Sequence, residues 1–244
     1  MREKSKKGTI VMELLLIGMI VSAGCVGEKA LEEGTGAPTG DFTTTTQTPT
    51  ASPSGAGTSL SDFLSKAKSI TSVKYEMVMT SPGKPPITTK VWVEGSNRRE
   101  EMVMEGKITA ITIINEDKQE MYSYSPEENW GVKCDINTSA RESALEDFSI
   151  ENLNPMVFGT EIIDGKPCTV VEYDALIGAG RMKSWIWQKH GMPIKTELTT
   201  VEGTIIRTDY KNIEFDDIPD SLFEPPAEVE LKEAESFNMP GGAL

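Results

Sequence analysis

The chain has 244 residues with 24 basic and 38 acidic side chains, which gives a net charge of −14. This charge argues against binding to nucleic acid and against broad docking on anionic lipid, because both need a positive surface. A single histidine, His190, argues against Ser-His-Asp triads and multi-histidine metal sites. No glycine-rich phosphate loop is present. We therefore expect no catalytic residue, no metal and no cofactor.

Residues 1–25 have the pattern of an export signal. Met1–Lys7 is basic, and the apolar run Leu14–Ala23 is too short to span a bilayer well. Its end, SAGC, resembles a lipobox with Ser22 where leucine is usual, so we predict that Cys25 is lipidated. An uncleaved anchor helix is the alternative. Both interpretations predict a protein exported to, and anchored at, the outer face of the cell membrane.

Three further regions follow the signal. Residues 26–59 are rich in Thr, Ser, Pro and Gly and predict a disordered tether, because they hold too little apolar surface to fold. A Thr-rich tether behind a lipobox resembles archaeal surface lipoproteins. Residues 60–232 suit one domain, and residues 233–244 are predicted to be a flexible tail.

The domain opens with one helix and then changes to strands. SLSDFLSKAKSI has apolar residues at helical spacing. The next five segments, VKYEMVMT, ITTKVWVE, EEMVME, ITAITIIN and EMYSYS, alternate apolar and polar residues and are separated by Gly/Asn/Asp turns. Such spacing predicts an antiparallel meander.

A second helix is predicted to interrupt the strands at Ser139–Leu153, before Pro155. Strands resume with hairpins at DGK, KHG and VEG, and the sheet is expected to close at Asp216–Pro226. About ten strands are too many for a flat sheet. We therefore predict a mainly β fold with α elements: a large curled antiparallel sheet, or half-barrel, with an N-terminal helix and an inserted helix.

Two local features bear on export. If Cys25 is lipidated, Cys134 and Cys168 remain as a pair, which in an exported domain suggests a disulfide. Two buried free thiols are the alternative. Asn137 begins an N-glycosylation sequon, Asn-Thr-Ser, and is a candidate glycosylation site.

The order of motifs along residues 60–230 resembles the LolA/LolB/LppX-like family of lipoprotein carriers. The resemblance is carried by VWVEGSNRREEMV, YSYSPEENWG, IIDGKPCTVVEY and, above all, SWIWQKHGMPIKTELTTVEGTIIRTDYKNIEF followed by a Phe-Pro ending. It implies a curled antiparallel sheet whose concave side, plugged by helices, holds acyl chains. It also implies that a strand arginine, Arg98 or Arg99, holds a helical lid. A surface arginine paired with Glu100 or Glu101 is the alternative.

Several side chains are candidates for the wall of such a cavity. Methionine is unbranched and polarizable, so a methionine-rich wall adapts to variable apolar ligands. The candidates lie on consecutive predicted strands and are Tyr75, Met77, Met79, Met102, Met104 and Met121. Filling of gaps in the core is the alternative role for these methionines.

The sequence therefore favours a membrane-tethered, non-catalytic protein that binds a lipid, a lipoprotein acyl chain or another apolar ligand in a concave β cavity. The alternative is a structural or regulatory envelope protein with a closed core that acts through contact with a protein partner. A permanent tether favours the alternative slightly, because a shuttle should be soluble.

Overall fold

The architecture is taken from a computed structural model, which describes residues 60–136, 153–175 and 179–234. The predicted signal and Cys25, the tether, Asn137 and all but the last residue of the predicted inserted helix lie outside these residues. Within the described ranges, no helix is long and apolar enough to cross a membrane.

One α-helix, one 3-10 helix and twelve strands make up the described fold. The helix α1 spans Leu60–Lys68 and agrees with the predicted N-terminal helix. The strands are β1 (Ser72–Thr80), β2 (Ile87–Glu94), β3 (Asn97–Met104), β4 (Lys107–Asn115), β5 (Glu120–Ser125), β6 (Trp130–Asp135), β7 (Met156–Ile163), β8 (Lys166–Asp174), β9 (Gly180–Trp187), β10 (Pro193–Thr200), β11 (Ile205–Glu214) and β12 (Glu230–Glu233).

All twelve strands belong to one curled, unclosed sheet with the order β12-β6-β5-β4-β3-β2-β1-β11-β10-β9-β8-β7. β1 to β6 and β7 to β11 are two antiparallel meanders, and β1 joins them by pairing with β11 at the centre of the sheet. This sheet confirms the predicted fold class. Two strands were not predicted. β6 follows the last predicted strand of the first meander, and β12 follows the expected end of the sheet and pairs in parallel with β6.

The inner face of the sheet is defined here as the face covered by α1. Phe63 of α1 packs against side chains of β8 and β9, including Val171 and Ile186. Residues directly opposite each other on neighbouring strands lie on the same face of a sheet. Following these pairs from β8 through β9, β10 and β11 to β1 places Val73, Tyr75 and Met77 on the inner face. The alternation of apolar and polar residues in the β1 sequence therefore separates the side chains of the inner face from those of the outer face.

The outer face of β3 to β6 is closed by the segment that follows β11. A 3-10 helix at Asp220–Phe223 crosses this face. Ile218 and Phe223 pack with Ile111 and Ile113 of β4 and with tyrosines of β5. Full burial of a phenylalanine side chain stabilises a fold by about 1.5–3 kcal/mol, so this segment belongs to the core.

The predicted disulfide is wrong in this structure. Within the described residues no disulfide joins Cys134 and Cys168, and both side chains are buried thiols. Cys134 lies on β6 and Cys168 on β8, near opposite ends of the strand order. Cys168 instead packs in an apolar cluster with Val170, Trp185 and Ile194, and burial raises the pKa of its thiol.

Candidate ligand-binding face

The candidate cavity residues lie on β1, β3 and β5, which alternate with β2 and β4, and not on consecutive strands as predicted. Met77 on β1 is opposite Thr89 on β2, which in turn is opposite Met102 on β3. Met121 on β5 lies in a different row of the same ladder, where Ile114 links it to Arg98 on β3. The pairing thus brings methionines from separate strands to the inner face, where they are spaced by about two strand widths of roughly 4.8 Å each.

The candidate residues differ in burial. Tyr75 and Met77 are buried, with 2% and 7% of their surface exposed. Both belong to a core cluster with Val91, Met192 and Tyr210, which matches the gap-filling role for Met77. The others are more accessible: Met79, Met102 and Met121 are half-buried, and Met104 is 38% exposed at the end of β3.

The two faces of β4 to β6 differ in how completely they are covered. On the outer face, Ile111, Ile113, Tyr122 and Tyr124 are buried beneath the C-terminal segment. On the inner face Cys134 is buried, but most side chains are small or apolar and only half-buried; these are Ala110, Thr112, Ile114, Met121, Ser123 and Val132. Of the two faces of β4 to β6, the inner face is therefore the more accessible one.

Arg98 and Arg99 lie on opposite faces because successive residues of a strand alternate. Arg99 is on the outer face, where Nη1 donates to the backbone carbonyl of Leu222 at 3.2 Å and Nη2 pairs with Glu101 at 2.8 Å. It therefore binds the C-terminal segment. Each arginine pairs with the glutamate named in the surface alternative, but both are buried rather than exposed.

Arg98 forms a polar cluster on the inner face with Glu100 and Tyr75. Arg98 Nε donates to Glu100 Oε1 at 2.5 Å, and the three residues are 3%, 5% and 2% exposed. Burial raises the pKa of Tyr75 to about 12, with Arg98 lowering it in part. Burial lowers the pKa of Arg98, but Glu100 and Tyr75 outweigh that effect and raise it, so Arg98 stays charged.

Three atoms of this cluster have no partner within normal hydrogen-bond distance among the described residues: Arg98 Nη2, Glu100 Oε2 and the Tyr75 hydroxyl. Arg98 and Tyr75 are nevertheless close enough to shift each other's pKa. A buried polar group left without a partner costs about 1–3 kcal/mol, and more when it is charged. Sequence reasoning missed Glu100 as an inner-face residue. The signal was available, since Glu100 is two residues from Arg98 in a strand and therefore shares its face.

No cluster of three or more His, Cys, Asp or Glu side chains that could hold a metal ion is present in the described part of the chain. His190 is held in aromatic packing, with its ring 4.1 Å from Phe215 and 4.4 Å from Trp187. Burial is the main cause that lowers its pKa, with Lys189 as a second cause.

The protein is a curled, unclosed β-sheet in which the inner face of β4 to β6 is more accessible than the outer face. Its structure is similar to that of a conserved protein from Thermus thermophilus, with 12% identity, a TM-score of 0.54, and coverage of 71% of this chain and 98% of that one. No protein-family model matches the chain, and no curated protein matches it significantly.

Two further similar structures are those of a lipoprotein and of a LolA superfamily protein. The lipoprotein LppX of Mycobacterium tuberculosis is 12% identical with a TM-score of 0.43, covering 66% of this chain and 97% of that one. A LolA superfamily protein from Nitrosomonas europaea is 13% identical with a TM-score of 0.34, covering 69% of this chain and 99% of that one. At these identities the likeness concerns the fold, and TM-scores below 0.5 carry no functional argument.

Proposed function

We propose that this protein is an exported, membrane-tethered binding protein that holds a lipid, a lipoprotein acyl chain or another apolar ligand on its inner face and catalyses no reaction. The observation that carries the proposal is the unequal covering of the two faces of β4 to β6. The outer face is closed by Phe223 and its neighbours, whereas the inner face presents half-buried apolar side chains. Concave, mostly apolar surfaces of this kind are typical ligand sites.

The membrane attachment rests on the sequence. Lipidation of Cys25 would anchor the protein, and residues 26–59 would give the domain reach. The Cys25→Ser variant should then move from the membrane fraction to the soluble fraction in cell fractionation. An unchanged membrane fraction would favour the uncleaved anchor helix instead.

Ligand binding is tested on the purified protein in two ways. Native mass spectrometry and solvent extraction should recover non-covalent lipid, and a fluorescent fatty acid should bind saturably. Each buried methylene contributes about 0.8 kcal/mol, so shortening the chain of a competitor by two methylenes should weaken its binding about tenfold. Affinity that does not depend on chain length would contradict binding to an apolar face.

A charge on the inner face should abolish this binding. Met121→Arg places a cation among half-buried apolar side chains, and we expect at least a tenfold loss of affinity. The control is Val201→Arg in the β10–β11 turn, where the side chain is 72% exposed and the charge stays in water. Equal affinities of two variants that melt like the parent protein would refute the assignment of the face.

A second function, contact with an envelope protein partner, is favoured by strand β7. β7 is the last strand of the sheet order, so one of its edges is unpaired within the described residues. Its large apolar side chains are exposed: Met156 49%, Val157 62%, Phe158 49% and Ile162 73%. Such an edge accepts an added strand from another chain, so the occupant we expect is an extended segment of a partner envelope protein.

Photo-crosslinking in cells tests this second function. A photoreactive residue at position 162 should give one discrete protein adduct, and the same residue at position 201, which is equally exposed, should not. Val157→Lys should remove the adduct by placing a charge in the apolar contact. Indistinguishable adduct patterns at both positions would contradict a partner on β7.

A further inference from the structure

The Arg98–Glu100–Tyr75 cluster is built around groups that the described chain does not satisfy. Arg98 and Glu100 are two residues apart on β3 and hold each other through one nitrogen and one oxygen. Their second atoms, Nη2 and Oε2, and the Tyr75 hydroxyl have no partner within normal hydrogen-bond distance among the described residues, although Arg98 and Tyr75 interact electrostatically. All three side chains are more than nine-tenths buried. Unsatisfied polar groups of this kind concentrate at functional sites.

The position of the cluster connects it to the apolar part of the inner face. Arg98 is opposite Ile114, and Ile114 is opposite Met121. In the neighbouring row of the same ladder, Glu100 is opposite Thr112. A ligand with a polar end at Arg98 and Glu100 would therefore extend its apolar part across β4 and β5, over the half-buried side chains described above.

The charges of the cluster determine which polar end it accepts. The ion pair has no net charge, so a carboxylate would be repelled by Glu100 and an ammonium group by Arg98. A neutral group that both donates and accepts fits each atom: it accepts from Arg98 Nη2 or from the Tyr75 hydroxyl, and it donates to Glu100 Oε2. Hydroxyl and amide groups have this property.

We propose that Arg98, Glu100 and Tyr75 form a head-group subsite on the inner face for amphiphiles with a neutral hydroxyl or amide end. The inference rests on the proposed function, because the apolar face must first hold the chain of the ligand. It adds a selection by head group that an apolar surface alone does not provide.

The test measures displacement of a fluorescent fatty acid from the purified protein by four ligands with the same twelve-carbon chain: 1-dodecanol, dodecanamide, dodecanoate and dodecyltrimethylammonium. The alcohol and the amide should bind at least tenfold more tightly than the two charged ligands. Glu100→Gln keeps the shape but leaves Arg98 as a net positive charge, so dodecanoate should become the preferred ligand.

A matched pair of milder variants covers the case in which Glu100→Gln does not fold. Tyr75→Phe and Tyr124→Phe each remove a buried hydroxyl without a partner among the described residues, but Tyr124 is in the outer-face cluster. Tyr75→Phe should weaken dodecanol binding about three- to tenfold, as expected for one lost hydrogen bond. Tyr124→Phe should leave it unchanged.

The outcomes separate the subsite from the proposed function. If all four ligands bind equally and both tyrosine variants behave like the parent protein, the subsite is refuted while the apolar face stands. If none of the four ligands displaces the probe, both proposals fail.

Discussion

Replacement of Phe223 by alanine tests whether the C-terminal segment is part of the core. The side chain is 1% exposed and packs with Ile113, Tyr122 and Ile218 on the outer face. The backbone around it is held in place, because Arg99 donates to the carbonyl of Leu222 and Asn115 donates to that of Phe223 at 3.2 Å. The surroundings therefore cannot collapse fully into the space left by the ring.

Deletion of a buried phenylalanine ring costs about 3–5 kcal/mol, and limited collapse places Phe223→Ala near 4 kcal/mol. With a urea dependence of about 2 kcal/mol per molar, the unfolding midpoint should fall by about 2 M. The measurement is urea unfolding followed by tryptophan fluorescence. Leu222→Ala is the control, because its side chain is only partly buried and about 1.5 kcal/mol is expected. Equal midpoints for the two variants would refute the packing described here.

Three further predictions concern local features. Gly191→Ala should destabilise the fold by about 3 kcal/mol in thermal melts, because φ is +73° and the added Cβ would lie 2.1 Å from a backbone oxygen of α1. The control is Gly203→Ala, where φ is +81° but the space around the added Cβ is open, and the expected cost is only about 1 kcal/mol. The lowered pKa of His190 means that the unfolded chain binds its proton more readily, so the melting temperature should fall as the pH decreases below about 6.5, and His190→Phe should remove that dependence between pH 7 and 5. Alkylation in denaturant without reductant should modify both Cys134 and Cys168, and a disulfide-linked pair of their peptides would contradict the structure.

The first five strands, β1 to β5, were predictable because their side chains alternate with few exceptions, whereas β6 was not predicted. VKYEMVMT gives Val73, Tyr75 and Met77 on one face, as the structure has them. β12 was not predictable in the same way. Its sequence, ELKE, is short and charged, and it forms a strand because β6 offers an unpaired edge.

The candidate site was predictable in composition and less so in geometry. Two adjacent arginines in a strand must face opposite sides, but the sequence does not say which one faces inward. Pairing places Arg98 opposite Ile114 on the inner face and leaves Arg99 to the C-terminal segment. The predicted disulfide between Cys134 and Cys168 was wrong for a related reason, because the number of cysteines in a sequence does not give the distance between the strands that carry them.

The pairing of β1 with β11 also governs how the protein acquires its structure. Met77 is opposite Tyr210, so nearly the whole domain must be synthesised before the two meanders can join. Contacts between such distant parts of a chain form slowly. Until they form, each meander has an unpaired central edge that is prone to aggregation. Truncation before residue 205 would leave the protein in that state permanently.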